Sequence, residues 1–292
     1  MKTVLSLFDG MSGGQIALIE NGVKFDKYYA SEIDKYAINQ TQFNFPDTIQ
    51  LGDIEKWREW DINWSSVDLI LAGSPCQGFS FNGKRLNFKD PRSRLFFTFV
   101  DILEFTKIHN PNVKFLLENV KMAVEYLSVI STTLKVYPVE INSARVSAQN
   151  RKRLYWTNIK TRYDDNLRID VVDIPQPKDL GIKLWDILEP HVHNTWVLSD
   201  KQLKCITNPK RFGKYVSFNG DKSRTLQVRD VASWNGTFIK TGDVVRFLTP
   251  EERARLQTIP NWYKWIVSER EQVKMIANGW TIKVIQHILS YL

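Results

Sequence analysis

The stretch TVLSLFDGMSGGQIALIEN at residues 3–21 decides the fold. Its apolar start, Thr3–Phe8, predicts a buried strand, and the helical pattern that begins at Gly14 stops before Gly22. The glycines in between allow a sharp turn and a close approach of the backbone to a ligand. A strand that passes through such a turn into a helix is the first unit of an alternating α/β fold.

The same alternation continues through the first 160 residues. Val67–Ala72 is a continuous apolar run, as expected for a strand that is buried on both faces of a sheet. The other predicted strands and helices, in chain order, are Tyr28–Ser31, the helix Lys35–Phe43, the helix Leu95–His109, Val113–Leu117, Val136–Ile141 and Leu154–Asn158. This order predicts a doubly wound, Rossmann-like α/β domain with a mostly parallel sheet. Residues 163–245, rich in proline and glycine, predict a smaller module of strands and loops.

Length and composition limit the class of protein. With 292 residues the chain can bury a sizeable core, and no apolar run reaches the roughly 18 residues that a membrane span needs. The two cysteines, Cys76 and Cys205, cannot form a disulfide framework, which favours a reducing, cytoplasmic compartment. The four histidines form no cluster typical of a metal site, so we expect no metal.

The net charge of +8 is concentrated in two stretches. Residues 201–229 hold eight basic and one acidic side chain, and residues 131–160 hold six basic and one acidic side chain. Both stretches mix bases with aromatic and turn residues, a pattern that favours a nucleic-acid partner because phosphates attract such a surface. The alternative is a solvated basic face that only promotes solubility.

The glycine turn and two acids predict a cofactor site. Glu32 ends the second predicted strand about 20 residues after the turn, the position that binds ribose hydroxyls in this architecture. Asp53 follows a third candidate strand, and the turn lacks the GxGxxG pattern of a pyrophosphate cradle. The pattern therefore favours a ligand with ribose and adenine but no diphosphate, although a tight strand–helix turn alone would also explain the glycines.

Reactive side chains follow at the same predicted sheet edge. Cys76 stands in the loop GSPCQGFS, directly after a buried strand, and Glu118 ends another apolar strand. Arg151 and Arg153 lie two apart on an extended chain, so both are expected to face one anion or polarised oxygen. The plainer alternatives are a buried structural cysteine, an acid at a helix N-terminus and a solvated basic turn.

Together these segments resemble the cytosine-C5 DNA methyltransferase family. The matching blocks, all in the family's order, are FDGMSGG (8–14), ASE (30–32), GDI (52–54), SPC (74–76), ENV (118–120), QNRKR (149–153), RFLTPEERARLQ (246–257) and NGWT (278–281). The resemblance spans about 200 residues and omits mainly the module at 163–245. The motif forms are similar to those of the animal de novo DNA methyltransferases, and the expected type is prokaryotic or phage.

The resemblance implies S-adenosylmethionine as cofactor and S-adenosylhomocysteine as product. Glu32 would bind the ribose hydroxyls and Asp53 the adenine amino group. The cofactor set implied by the matching motifs is Phe8, Asp9, Gly10, Gly14, Glu32, Ile33, Asp53, Ile54, Pro75, Asn278 and Trp280, with Trp280 on a closing helix that runs to Leu292.

The resemblance also implies the roles of the reactive side chains. Cys76 would attack C6 of a flipped cytosine, Glu118 would hold N3 and Arg153 would contact O2, while Arg151 would help to place the loop or the backbone. A mobile loop at 81–94 would close over the base, with Arg85 and Arg92 on phosphates. Residues 163–245 would form the target-recognition domain, and residues 1–162 with 246–292 the catalytic domain. In the recognition domain we hypothesise that Lys210, Arg211, Arg224 and Arg229 contact DNA.

The expected partner is double-stranded DNA, with no membrane. The expected protein is a monomer, nucleoid-associated in a prokaryotic or phage-infected cell, and a cognate restriction endonuclease is left open. Three alternatives also stay open at this point: a transfer-RNA cytosine-5 methyltransferase, a non-catalytic DNA-binding relative, and a nucleotide-dependent oxidoreductase.

Overall fold

The structure is a computed structural model that describes residues 1–74 and 91–292, with the backbone alone at 91–93. Its strands and helices, in chain order, are β1 (Thr3–Leu7), α1 (Gly13–Glu20), β2 (Lys27–Ser31), α2 (Lys35–Asn44), β3 (Ile49–Gln50), β4 (Val67–Gly73), α3 (Pro91–His109), β5 (Lys114–Val120), α4 (Val124–Leu134), β6 (Val136–Tyr137), β7 (Val139–Asn142), β8 (Lys152–Thr157), β9 (Thr161–Asp164), β10 (Ile169–Val172), α5 (Asp200–Ile206), β11 (Val216–Phe218), α6 (Asp230–Ser233), β12 (Gly236–Thr241), β13 (Val244–Arg246), α7 (Pro250–Leu256), α8 (Glu269–Asn278) and α9 (Ile282–Leu289).

The main sheet has the strand order β3-β2-β1-β4-β5-β8-β7. The first five strands of this order are parallel, and β8 is antiparallel to β5. Because the chain moves one way from β1 to β3 and the other way from β4 to β5, the order reverses between β1 and β4. Such a reversal is the point where doubly wound sheets bind ligands, at the carboxyl ends of the strands. The predicted α/β class and doubly wound sheet are confirmed.

Two segment predictions were wrong in detail. The predicted strand Val136–Ile141 is divided at Pro138 into β6, which pairs with β10, and β7, at the edge of the main sheet. Proline has no N–H to donate to a sheet, which explains the break. The loop predicted for 81–94 ends earlier, because α3 begins at Pro91, and proline favours the first turn of a helix.

The chain divides into two compact units. The first comprises residues 1–141, 152–176 and 285–292, and it contains the main sheet. The second comprises 142–151 and 177–284, with the sheet β11-β12-β13 and its own core of Ile206, Val216, Phe238, Val245 and Phe247. These limits differ from the predicted domain boundaries at 162 and 245, because residues 142–151 and 246–284 belong to the second unit. The division into a catalytic and a recognition domain stays a prediction about function.

Among the residues that the structure describes, no helix combines the length and the apolar character of a membrane span.

Candidate active site

The turn after β1 and the acid after β2 are joined by hydrogen bonds. Glu32 accepts a bond from Gly10 N at 2.8 Å through Oε2. Its Oε1 accepts bonds from Ile33 N at 2.8 Å and Asp34 N at 2.9 Å. Asp9 N also donates to Ser31 O at 3.2 Å. The carboxylate that the sequence assigns to ribose is therefore fixed in place, and of its roughly four acceptor positions about one remains for a ligand.

Space for a ligand lies beside two glycines of this edge. Gly10 has φ +59° and Gly52 has φ +73°, and a Cβ at either position would meet no atom of the described chain within 4 Å. Positive φ favours glycine, so both turns need this residue type. Asp53, next to Gly52, accepts a bond from Glu55 N at 2.9 Å through Oδ1. Open backbone beside a fixed carboxylate fits a nucleoside with ribose hydroxyls.

Asp9 is an acid in an unusual environment. Tyr28 donates from its hydroxyl to Asp9 Oδ1 at 3.0 Å, and Asp9 Oδ2 is buried. Burial raises the pKa of Asp9 to about 6, and the hydroxyls of Ser6, Ser12 and Tyr28 offset this only in part. Burial and the Asp9 charge also raise the pKa of Tyr28 well above its ordinary value, so the phenol stays protonated and donates.

The raised pKa of Asp9 predicts a pH dependence of folding. The pKa is about 6 in the folded chain against 3.8 ordinarily, so wild type loses stability as the pH rises from about 4 to above 6. Asp9→Asn cannot ionise, and we expect it to exceed wild type by about 1–3 kcal/mol at pH 7.5 but not at pH 4. Urea unfolding at both values measures this. The exposed Asp26→Asn serves as control, and an unchanged pH dependence in Asp9→Asn would contradict the assignment.

Glu118 and Arg153 form an ion pair at the carboxyl end of β5. Arg153 Nε lies 2.9 Å from Glu118 Oε1, and both side chains are almost buried, with 14% and 12% exposed. They come together because β8 runs antiparallel to β5, with Val120 opposite Arg153. Glu118 lies within the strand, so the helix N-terminal alternative is wrong. An acid held by a guanidinium at a sheet edge can hydrogen-bond a heterocycle.

The end of β4 is anchored by a residue that the sequence analysis missed. Asn119 Nδ2 donates to Ser74 Oγ at 3.0 Å, and both side chains are buried. Ser74 directly precedes the Pro75–Cys76 step in the sequence. Among the predicted site residues, Pro75, Cys76 and Arg85 lie outside the described residues, as does the side chain of Arg92. Adjacency to Glu118 in the ENV motif was the only sequence signal for Asn119.

Arg151 and Arg153 do not face one common target, and this expectation was wrong. Arg151 precedes β8, which begins at Lys152, so the two arginines do not share one extended strand. Arg151 is 3% exposed. Its guanidinium donates from Nη2 to Ala277 O at 3.2 Å and to Gly279 O at 2.9 Å. Arg151 therefore holds backbone within the second unit.

Two of the implied cofactor residues lie in the second unit. Asn278 is exposed at the end of α8, and Trp280 is half-buried in the segment before α9. The closing helix begins at Ile282, so the prediction that Trp280 stands on it was wrong. The role of both residues toward a cofactor stays a prediction.

The four predicted DNA contacts fall into two pairs. Lys210 and Arg229 have exposed side chains. Arg211 donates through Nη2 to Trp234 O at 3.1 Å and to Asn235 Oδ1 at 2.8 Å. Arg224 donates through Nη2 to Lys214 O at 2.7 Å. The second pair thus stabilises the recognition module itself, and its contact with DNA stays a prediction.

A groove in the first unit does not contain these residues. It has a volume of about 490 Å³ and is lined by Trp57, Trp64, Phe105 and Ile108 with charged residues between them. Its three charged residues are all paired, since Arg58 Nη2 lies 3.8 Å from Asp101 Oδ2 and Glu104 Oε1 lies 2.8 Å from Nζ of the neighbouring Lys107. We assign this groove no role.

A doubly wound sheet with a glycine turn at its switch point, and with acids after successive strands, has the features of a Rossmann-like enzyme domain. Comparison with known proteins identifies the family of this domain. The chain matches the model of the C-5 cytosine-specific DNA methylase family over residues 2–292, and it belongs to that family. The enzyme class is DNA (cytosine-5) methyltransferase, so the oxidoreductase interpretation is wrong.

Type II methyltransferases are among the relatives. M.DsaV of Dactylococcopsis salina is 30% identical over 99% of this chain and 86% of its own length. M.HhaI of Haemophilus parahaemolyticus is 30% identical over 97% of this chain and 92% of its own length. A DNMT2 variant of Spodoptera frugiperda aligns with a TM-score of 0.71 at 22% identity, covering 100% of this chain and 99% of its own. Schizosaccharomyces pombe Dnmt2 aligns with a TM-score of 0.73 at 16% identity, covering 99% of this chain and 98% of its own. Both of these similarities concern the fold alone.

Proposed function

We propose that this enzyme transfers a methyl group from S-adenosylmethionine to C5 of a flipped cytosine in a specific duplex DNA site, through a covalent bond to Cys76. The observation that carries the proposal is the pair of Arg153 and Glu118, 2.9 Å apart at the carboxyl end of β5. The neighbouring strand in the sheet is β4, which leads toward Cys76. An acid held at the end of β5, beside the strand that precedes Cys76 in the sequence, suits attack on a heterocyclic base.

The cofactor would bind at the turn after β1. The residues that would hold it are Phe8, Asp9, Gly10, Gly14, Glu32, Ile33, Asp53, Ile54, Pro75, Asn278 and Trp280. When bound, S-adenosylmethionine supplies an electrophilic methyl group. Glu32 offers a remaining acceptor position to a ribose hydroxyl, and the open backbone at Gly10 leaves room beside it.

The chain's own residues perform the remaining chemistry. The Cys76 thiolate forms a bond to C6 of cytosine, and the C5–C6 π electrons shift through C4 toward N3, where Glu118 in its protonated form donates a hydrogen bond or proton. Arg153 faces the ring O2 and holds Glu118. C5 would then be the nucleophilic position that accepts the methyl group supplied by the bound cofactor. A base removes the C5 proton, those electrons restore the C5–C6 double bond, Cys76 leaves as a thiolate, and any proton given to N3 returns to Glu118.

The target base has to leave the helix before Cys76 can reach it. Unstacking costs a few kcal/mol, which contacts with the DNA backbone offset. We propose that Arg85 and Arg92, which follow Cys76 in the sequence, contact phosphates of the DNA. The exposed basic side chains of the recognition module would hold the duplex.

Base-conversion sequencing tests the proposal. The enzyme is incubated with S-adenosylmethionine and unmethylated genomic DNA, and 5-methylcytosine is mapped. Methylation confined to one short motif is the expected result and would also give the target sequence. Folded protein that binds the cofactor but produces no 5-methylcytosine would contradict the DNA substrate.

Removing the guanidinium of Arg153 should slow catalysis. We expect Arg153→Ala to lower kcat/KM by about 10²–10³, the usual cost of losing one charged donor in a catalytic site, because Glu118 loses its orientation. Arg153→Lys should recover only part, since lysine lacks the planar fork. Steady-state kinetics measure the effect, with the exposed Arg162→Ala as control. An unchanged kcat/KM would remove Arg153 from the site.

Lys210 and Arg229 should contribute to DNA affinity through phosphates. We expect each alanine variant to make the plot of the logarithm of the DNA association constant against log salt less steep by about 1. The effect should be the same for all DNA sequences. Arg211→Ala and Arg224→Ala should instead destabilise the module, because their guanidinium groups hold backbone carbonyls. Fluorescence anisotropy over a salt series and thermal unfolding separate the two effects. Unchanged slopes in Lys210→Ala and Arg229→Ala would refute the assignment.

The transfer-RNA substrate is the second candidate, and the same assay with transfer RNA tests it. The basic recognition module supports the duplex DNA proposal. A monomer in the cytoplasm, associated with the nucleoid, remains part of the proposal, and a cognate restriction endonuclease stays open.

A further inference from the structure

The short segment Gln149–Arg151 holds two different parts of the second unit. On one side it pairs with the recognition module: Ser223 N donates to Ala148 O at 2.7 Å, and Asn150 N donates to Ser223 O at 2.9 Å. Thr225 Oγ1 donates to Asn150 O at 2.5 Å. These bonds fasten residues 223–226 of the recognition module, the recognition element, to the segment.

The side chain of Gln149 strengthens this attachment. It is fully buried, and its Oε1 accepts a bond from Leu226 N at 3.0 Å. Its Nε2 donates in the opposite direction, to Leu256 O and to Gln257 Oε1, both at 3.3 Å. One amide therefore contacts the recognition element and the end of α7 at the same time.

On the other side the segment holds the turn between α8 and α9. Arg151 Nη2 donates to Ala277 O and Gly279 O, the carbonyls on either side of Asn278. Gln257 adds a bond from Nε2 to Ile276 O at 2.9 Å, and Thr281 Oγ1 donates to Gln257 Oε1 at 2.6 Å. A guanidinium is well suited to the exposed carbonyls at a helix C-terminus, where the partial charge is negative.

We infer that Gln149 and Arg151 are positioning residues that couple binding of duplex DNA to binding of the cofactor. The inference rests on the proposed function, in which the module of Thr225 and Leu226 meets DNA and the turn at Asn278 and Trp280 meets the cofactor. Gln149, Asn150 and Arg151 are consecutive, and together they bind both the recognition element and the turn between α8 and α9. A shift of the recognition element therefore moves this turn as well. DNA that orders the recognition element therefore orders the turn, and linkage requires the reverse effect to be equal.

The experiment measures the binding of S-adenosylhomocysteine by calorimetry, with and without an unmethylated duplex that carries the mapped site. This ligand cannot donate a methyl group, so both species persist. We expect the duplex to lower the Kd of wild type by a factor of about 5–150, the usual range of such couplings. Arg151→Lys and Gln149→Met should bring this factor close to one.

Two further variants protect the test against misfolding. Thr225→Val removes only the bond to Asn150 O and should lower the coupling factor partly. Gln176→Met is the matched control, because Gln176 Nε2 also holds a carbonyl, that of Glu140 at 2.8 Å, but within the first unit. It should leave the factor at the wild-type value, while thermal unfolding reports any loss of structure in each variant.

The outcomes separate the inference from the proposed function. If wild type binds neither cofactor product nor duplex, the proposed function fails and the coupling fails with it. If wild type binds S-adenosylhomocysteine and the duplex but the duplex leaves the Kd unchanged, the coupling is wrong and the proposed function stands. The same holds if the folded variants keep the full wild-type change in Kd.

Discussion

Replacing Cys76 with serine should abolish methyl transfer and leave binding of the cofactor and the duplex intact. The thiolate is the reactive form of cysteine, whereas a serine hydroxyl stays protonated and is a weak nucleophile without an adjacent base. We expect a fall in kcat on the order of 10⁴–10⁶, as for other enzymes that lose their nucleophile. The assay counts methyl groups transferred to the mapped site.

Cys205→Ser is the matched control for this substitution. Cys205 is half-buried and accepts a bond from Arg211 Nη1 at 3.3 Å, which a serine oxygen can also accept, so its activity should be that of wild type. DNA with 5-fluorocytosine provides a second readout, because its C5 carries no proton to lose and the adduct with Cys76 should persist. A stable adduct in wild type and none in Cys76→Ser is expected. Methyl transfer by Cys76→Ser would show that the nucleophile is another group.

The parts of the site that the sequence predicts are local. The strand, the glycine turn and the helix at residues 3–21 follow from patterns within a few positions, and the sheet edge follows from the alternation of strands and helices. Glu32 was predicted beside this turn because the parallel order brings the ends of β1 and β2 together. Positive φ at Gly10 likewise agrees with its residue type.

The parts that the sequence does not predict depend on distant pairing. Glu118 and Arg153 meet because of the antiparallel register of β5 and β8, which alternation alone does not give. Arg151 was assigned the direction of Arg153 because both were expected on extended chain before a strand at Leu154, but β8 begins at Lys152, between them. Arg211 was expected on DNA from its charge, whereas a guanidinium can equally hold backbone carbonyls of its own module.

Replacing Glu252 should cause a larger loss of folding stability than any other substitution proposed for this chain. Glu252 is completely buried and stands in the first turn of α7. It accepts two bonds from Arg246, at 2.8 Å and 2.7 Å, and one each from Glu189 N at 2.9 Å and Thr249 N at 3.0 Å. Glu252→Ala leaves a nearly buried guanidinium and two backbone donors without their acceptor. We expect a loss of about 3–5 kcal/mol in the free energy of unfolding.

Urea unfolding measures this loss, and the neighbouring residue supplies the control. Glu251 is exposed in the same turn, so Glu251→Ala should change the free energy of unfolding by no more than about 0.5 kcal/mol. A similar change in the two variants would show that helix position, and not the buried charge, decides the effect.

A double substitution tests whether the loss comes from an unpaired charge. If it does, Arg246→Met combined with Glu252→Met should be more stable than Glu252→Ala alone, because no buried charge is left without its partner. Arg253 limits the recovery: it is 3% exposed, and burial lowers its pKa while the charges of Asp230 and Glu252 raise it. Without Glu252, Arg253 depends on Asp230, whose own pKa burial raises. The double variant should therefore remain below wild type.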